Sequence, residues 1–99
     1  MAKRVGAEKK RETRNLREAV GALLTELRTK KGWSIRELSH RINYTTNTIT
    51  DVELARKSPT LTTLEVFARA YSMNVSSLIR TAERRIKPPG SSQIGRAHV

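Results

Sequence analysis

The sequence predicts an all-α fold: five helices with a basic arm at each end. Three observations carry that expectation. Apolar residues recur at helical spacing in separate stretches between Leu16 and Ala82. Four of those stretches open on Ser, Thr or Asn, residue types that cap helix N-termini. The positive charge gathers outside them: seven basic and two acidic residues in 1–17, eight and six in 18–79, five and one in 80–99.

Leu16, Val20, Leu23, Leu24 and Leu27 fall at i, i+4, i+7, i+8 and i+11, the stripe of an amphipathic first helix. Gly21 weakens that helix slightly but leaves room for a close neighbour. Arg28, Lys30 and Lys31 crowd its last turn, where cations suit the helix dipole, and Gly32 stops it. Ser34 and Glu37 form an S-x-x-E capping box for a short second helix with Ile35, Leu38 and Ile42 inward. Asn43 tolerates left-handed backbone at the end of that helix.

Thr45 caps a third helix carrying Thr46–Leu54. Its threonines are poor helix formers, and in isolation Ile49–Leu54 alternates well enough for a strand. The spacing of Ile49, Val52 and Glu53 decides for a helix pinned along one narrow edge, the rest of its surface polar. After the basic turn ARKSP (55–59), Thr60 caps a fourth helix with Leu61, Leu64, Phe67, Ala68 and Tyr71 inward. Asn74 or Ser76 caps a fifth that holds Val75, Leu78, Ile79 and Ala82, fades into Arg84–Lys87 and ends at Pro88 and Pro89.

These elements divide the chain into a basic flexible arm (1–14), a folded domain (15–85) and a flexible tail (86–99). Ile94–Val99 reads as the translation of a common short-read sequencing adapter. Two readings stand: a coding sequence joined to adapter, with a natural chain that continues beyond about Gln93, or an ordinary flexible tail; on either, His98 is no site residue.

With 99 residues, a net charge of +11, a pI near 11.1 and no cysteine, the chain is expected to be a small, cytoplasmic, polyanion-binding domain. Thiolate-ligated metal sites are excluded. No apolar run reaches the roughly 20 residues of a membrane span, and no apolar h-region follows the basic N-terminus. His40 is the one histidine outside the tail, no Gly-rich loop cradles phosphate, and an enzyme, a metal or a cofactor is not expected. Trp33, Phe67 and Tyr71 lie on apolar stripes and read as core, which argues against a stacking platform for single strands.

Two short helices joined by a tight turn, the second polar and sparsely packed, describe a helix-turn-helix. Val20–Ile79 resembles the Cro/C1-type (XRE-like) family of DNA-binding regulators over about 60 residues, without insertion. V-G-x-x-L-x-x-L-R at Val20–Arg28 is similar to the family's first helix and S-x-x-E-L at Ser34–Leu38 to its second. N-Y-T-T-N-T-I-T-D-V-E at Asn43–Glu53 is similar to its turn and recognition helix, and S-P-T-L-x-T-L at Ser58–Leu64 to the start of its fourth. Three positions depart from the pattern. Ile35 replaces a phosphate-touching glutamine, Asn43 stands for the turn glycine, and Ala55 stands for a glycine where positive φ is favoured. An altered exit from the third helix is expected at Ala55, since alanine would pay about 1 kcal/mol to keep that geometry.

The resemblance implies a lambda-repressor-like domain that binds double-stranded DNA as a transcriptional regulator, a repressor working as a homodimer near the nucleoid. It assigns Thr46, Asn47, Thr50 and Asp51 to base edges and Thr45, Arg28, Arg36, Arg56 and Lys57 to phosphates. The chemistry fits: an asparagine amide pairs with adenine N6 and N7, threonine methyls meet the thymine methyl, and an aspartate accepts from cytosine N4. Other roles stand beside these. Thr46 and Asn47 can cap the third helix, Asp51 can bond Arg56, Arg36 can be a solvated surface residue, and Glu53 is structural. The dimer surface is expected at Met73, Val75, Leu78 and Ile79. Two other functions remain open: the DNA-binding part of a longer ligand-sensing regulator truncated at the tail, or an antitoxin-type protein-binding module.

Overall fold

The computed structural model describes residues 15–86; the arm 1–14 and the tail from Lys87, with Ile94–Val99, lie outside the described residues. Five helices follow in order: α1 Leu16–Lys30, α2 Ile35–Ile42, α3 Thr46–Glu53, α4 Leu61–Ala70 and α5 Val75–Glu83. Each opens alike. The side-chain oxygens of Asn15, Ser34, Thr45, Thr60 and Asn74, all on extended backbone, accept from the N–H three residues on. At α5 the cap is Asn74; Ser76 Oγ donates to Asn74 Oδ1 at 2.9 Å. Glu37 supplies its N–H to Ser34, while its carboxylate accepts from Arg41 Nε at 3.0 Å.

The helix ends share a second device. Gly32 (φ 75), Ala55 (φ 62) and Ser72 (φ 58) each adopt left-handed backbone one residue past the C-cap. In each case the next N–H reaches back to a carbonyl of the last turn: Trp33 to Arg28, Arg56 to Asp51 and Met73 to Ala68. These are Schellman motifs. The expectation of an altered exit at Ala55 is therefore corrected. Two hydrogen bonds, Ala55 N–H to Val52 O at 3.1 Å and Arg56 N–H to Asp51 O at 2.8 Å, hold the alanine where glycine would be relaxed. Asn43 takes φ 61 at the end of α2, as its residue type allows.

Leu24, Leu38, Ile49, Phe67 and Leu78 are the largest fully buried side chains, one from each helix. Around them α1 packs on α3 and α5, α2 on α3 and α4, and α4 on α5. Two apolar stripes are shorter than their spacing suggests. Leu61 in the first turn of α4 is 75% exposed, and Leu16 in that of α1 is 37% exposed at the edge of a cavity it lines with Leu64 and Ile79. Leu78 corrects the expected dimer surface: it is 0% exposed, and only Met73, Val75 and Ile79 keep partly open faces.

A built Cβ on Gly21 would fall on the Glu53 carbonyl oxygen and 2.8 Å from that of Val52, so only glycine lets α1 approach the end of α3 this closely. Arg85 and Glu26, distant in sequence, close a bidentate pair (Nη2–Oε1 2.6 Å, Nη1–Oε2 3.0 Å) that ties α1 to the chain leaving α5. No helix among the described residues is long and apolar enough to cross a membrane.

Candidate nucleic-acid interface

Residues 43–45 turn the chain from α2 into α3. Two contacts fix that turn. Ser39 Oγ donates to the Tyr44 carbonyl, and the Tyr44 ring meets Phe67 of α4 edge-on with centroids 6.2 Å apart. The Tyr44 hydroxyl also reaches Thr63 Oγ1 at 3.4 Å. The start of α3 is thus held from α2 and α4 together.

On α3 the apolar edge is Ile49 (0% exposed) and Val52, joined by Glu53. Thr46, Asn47 and Thr48 are exposed, and Thr50 and Asp51 are half-buried. Thr46 and Thr50, like Asn47 and Asp51, are one turn apart, so the four form two adjacent rows on one face. Thr45 accepts from Thr48 N–H at 3.1 Å and lies 2.9 Å from Thr48 Oγ1, which occupies both threonine side chains with the cap. Capping therefore belongs to Thr45, leaving Thr46 and Asn47 without that task.

The sequence-assigned cations divide into two sets. Arg36, Arg56 and Lys57 are exposed. Arg28 is not available in the same way. Its Nε and Nη2 donate to Glu53 at 2.9 and 3.1 Å, its Nη1 donates to the Trp33 carbonyl at 2.9 Å, and its side chain is 13% exposed. The hydrogen bond to Glu53 raises the Arg28 pKa further, against the opposing effect of burial. Each of the three guanidinium nitrogens thus donates inside the domain, an arrangement that gives Arg28 a structural role and opposes the phosphate contact expected of it. The sequence reading of Glu53 as structural fits this pair, but nothing in the spacing names Arg28 as its partner.

Asp51 also has partners. Its carboxylate lies 3.4 Å from Arg56 Nη1 and 3.6 Å from Lys57 Nζ. Arg17, counted in sequence with the charged N-terminal stretch, lines a cavity of about 180 Å³ with Ser58 and Pro59 and so stands beside the loop that carries Arg56 and Lys57. Only folding brings it there. Trp33 stacks on Tyr71 at 5.8 Å and carries the Arg41 guanidinium 4.1 Å and the Lys31 ammonium 5.7 Å from its ring centroid, so its ring is engaged by three side chains of the domain.

A short polar helix presented beyond a tight turn and held by an apolar edge is a helix-turn-helix DNA-binding module. The family model described as a helix-turn-helix domain matches residues 19–76, more than half of the sequence, and the chain belongs to that family. It is a DNA-binding transcription regulator, in line with the Cro/C1-type resemblance. Among solved structures, the chain is similar to the clp gene regulator ClgR from Corynebacterium glutamicum. One structure of it gives a TM-score of 0.69 with 26% identity, covering 78% of this chain and all of that one. A second gives 0.65 with 28% identity, covering 88% and 85%. No curated protein matches.

Proposed function

We propose that the chain reads a specific double-stranded DNA sequence with Thr46, Asn47 and Thr50 and represses transcription from it as a homodimer. The observation that carries this is the polar face of α3, with Thr46 and Asn47 exposed and Thr50 half-buried, opposite the buried edge Ile49–Val52. A rigidly seated helix with polar side chains outward suits the major groove, where each base pair has its own donor, acceptor and methyl pattern. Arg56 and Lys57 at the Asp51 end of that face, Arg17 beside the loop that carries them, and the exposed Arg36 in the first turn of α2 serve as phosphate contacts, which set register without reading sequence. The arm 1–14, with six of the chain's basic residues, adds to this grip.

Two copies would place two readers on a two-fold site with half-sites about 34–36 Å apart. Met73, Val75 and Ile79 are the partly open apolar residues that suit the pairing. Occupation of such a site excludes other proteins, which suffices for repression. The likeness to a gene regulator supports the same reading. The function is exercised in the cytoplasm, on the nucleoid.

Selection of bound duplexes from a random pool tests it. A two-fold enriched sequence is the expected result. A pool without enrichment overturns sequence-specific reading and favours the protein-binding alternative.

A further inference from the structure

We infer that Asp51 is a specificity switch for the phosphate grip: it retains Arg56 and Lys57 until an amine on a base edge takes their place. The inference rests on the DNA-reading function proposed above. Asp51 lies one turn beyond Asn47, at the far end of the reading face and half-buried. Its carboxylate is divided between two cations, Oδ1 facing Arg56 Nη1 and Oδ2 facing Lys57 Nζ. Its backbone carbonyl accepts from the N–H groups of the same two residues, at 2.8 and 3.3 Å. One residue thus anchors both cations by main chain and side chain.

The two kinds of anchor differ in permanence. The backbone bonds belong to the Schellman turn and stay. The ion pairs are long, and the Arg56 and Lys57 side chains are 62% and 74% exposed, so they exchange readily with another anion. A DNA phosphate is such an anion, but taking the cations leaves the Asp51 charge bare beside the backbone. On an arbitrary duplex that repulsion opposes binding. Where the sequence presents a cytosine N4 amine at this end of α3, the carboxylate accepts from it and the cations pass to phosphates. Discrimination then comes from a penalty on wrong sequences as well as from contacts to the right one.

Asp51→Asn removes the charge and keeps the size of the side chain. Its affinity for random duplex should rise about three- to tenfold at low salt, with the salt slope steeper by about 0.9–1.8. The ratio of preferred to random affinity should fall. Placed in an Arg56→Ala/Lys57→Ala background, the same substitution should produce a much smaller rise. Thermal melts accompany each protein, and Asp51→Ser serves if the asparagine variant does not fold. A parental slope and ratio in a folded variant overturn the inference alone, as does an equal rise with and without the two cations. A parent that selects no sequence overturns the DNA-reading function and this inference with it.

Discussion

Arg28 and Glu53 form a bidentate ion pair, Nε–Oε2 2.9 Å and Nη2–Oε1 3.1 Å, that fastens the end of α1 to the last residue of the recognition helix. Both side chains are largely shielded, at 13% and 4% exposure. Glu53→Ala should therefore cost about 3–5 kcal/mol, because the guanidinium is left buried without its partner. Urea unfolding measures this. Replacing both residues with apolar ones of similar volume should recover most of the loss. A folded Arg28→Ala with parental stability and weakened DNA affinity would return Arg28 to the phosphate contacts.

Gly21→Ala tests the approach of the same two helices. In an open helix alanine gains about 1 kcal/mol over glycine. Here the new Cβ meets the carbonyl oxygens of Val52 and Glu53, rigid backbone atoms that cannot swing aside. Separating α1 from α3 should give a net loss of about 1–3 kcal/mol, read as a lower melting temperature.

Ala55→Gly should act in the opposite direction. At φ 62 alanine bears a Cβ penalty that glycine does not, and the Schellman hydrogen bonds stay in place. A gain of about 1 kcal/mol is expected. No change in the melting midpoint would mean that the unfolded-state entropy of glycine cancels the relief.

Tyr71 links stability to alkaline pH. Burial, with the charge of Glu53 behind it, raises its hydroxyl well above the ordinary value of 10.0. The folded state then holds this proton longer than the unfolded chain does. Its contribution is complete below about pH 10 and is lost as pH rises further. Tyr71→Phe should weaken that alkaline loss when both proteins are unfolded in urea across pH 8–11. At neutral pH the variant should be as stable as the parent or more so by about 1 kcal/mol, since the buried hydroxyl has no hydrogen-bond partner among the described residues.

The helix boundaries were legible because their signals are local. Ser34, Thr45 and Thr60 cap within four residues, and the apolar edge of α3 is spelled out by Ile49, Val52 and Glu53. What the sequence hid depends on contacts across the fold. Leu61 shares the apolar spacing of α4, yet it is 75% exposed, while Leu64 and Phe67 on the same stripe are buried. Arg28 is chemically as fit for a phosphate as Arg56; only the position of Glu53 separates their roles. Ala55 keeps left-handed backbone because the hydrogen bonds around it outweigh its own penalty, a balance that the residue type alone does not carry.

The sharpest test of the reading face contrasts Asn47 with Lys57. Asn47 is exposed in the first turn of α3, and Thr45 supplies the cap, so Asn47→Ala should leave the fold intact. If its amide meets a base, the variant should lose about 1–3 kcal/mol on the preferred site and relax discrimination at one or two base pairs. Lys57→Ala removes a cation that touches no base; since Asp51 holds it back on unmatched duplex, the preferred site should weaken more than random duplex, with no change in ranking at the base pairs that Asn47 reads. Its salt slope should also become shallower by about 0.9, the share of one phosphate contact. Competition binding with single-base variants of the selected site separates the two outcomes, with melts to confirm that both proteins fold. An Asn47→Ala protein that ranks every duplex as the parent does would remove base reading from this turn of α3.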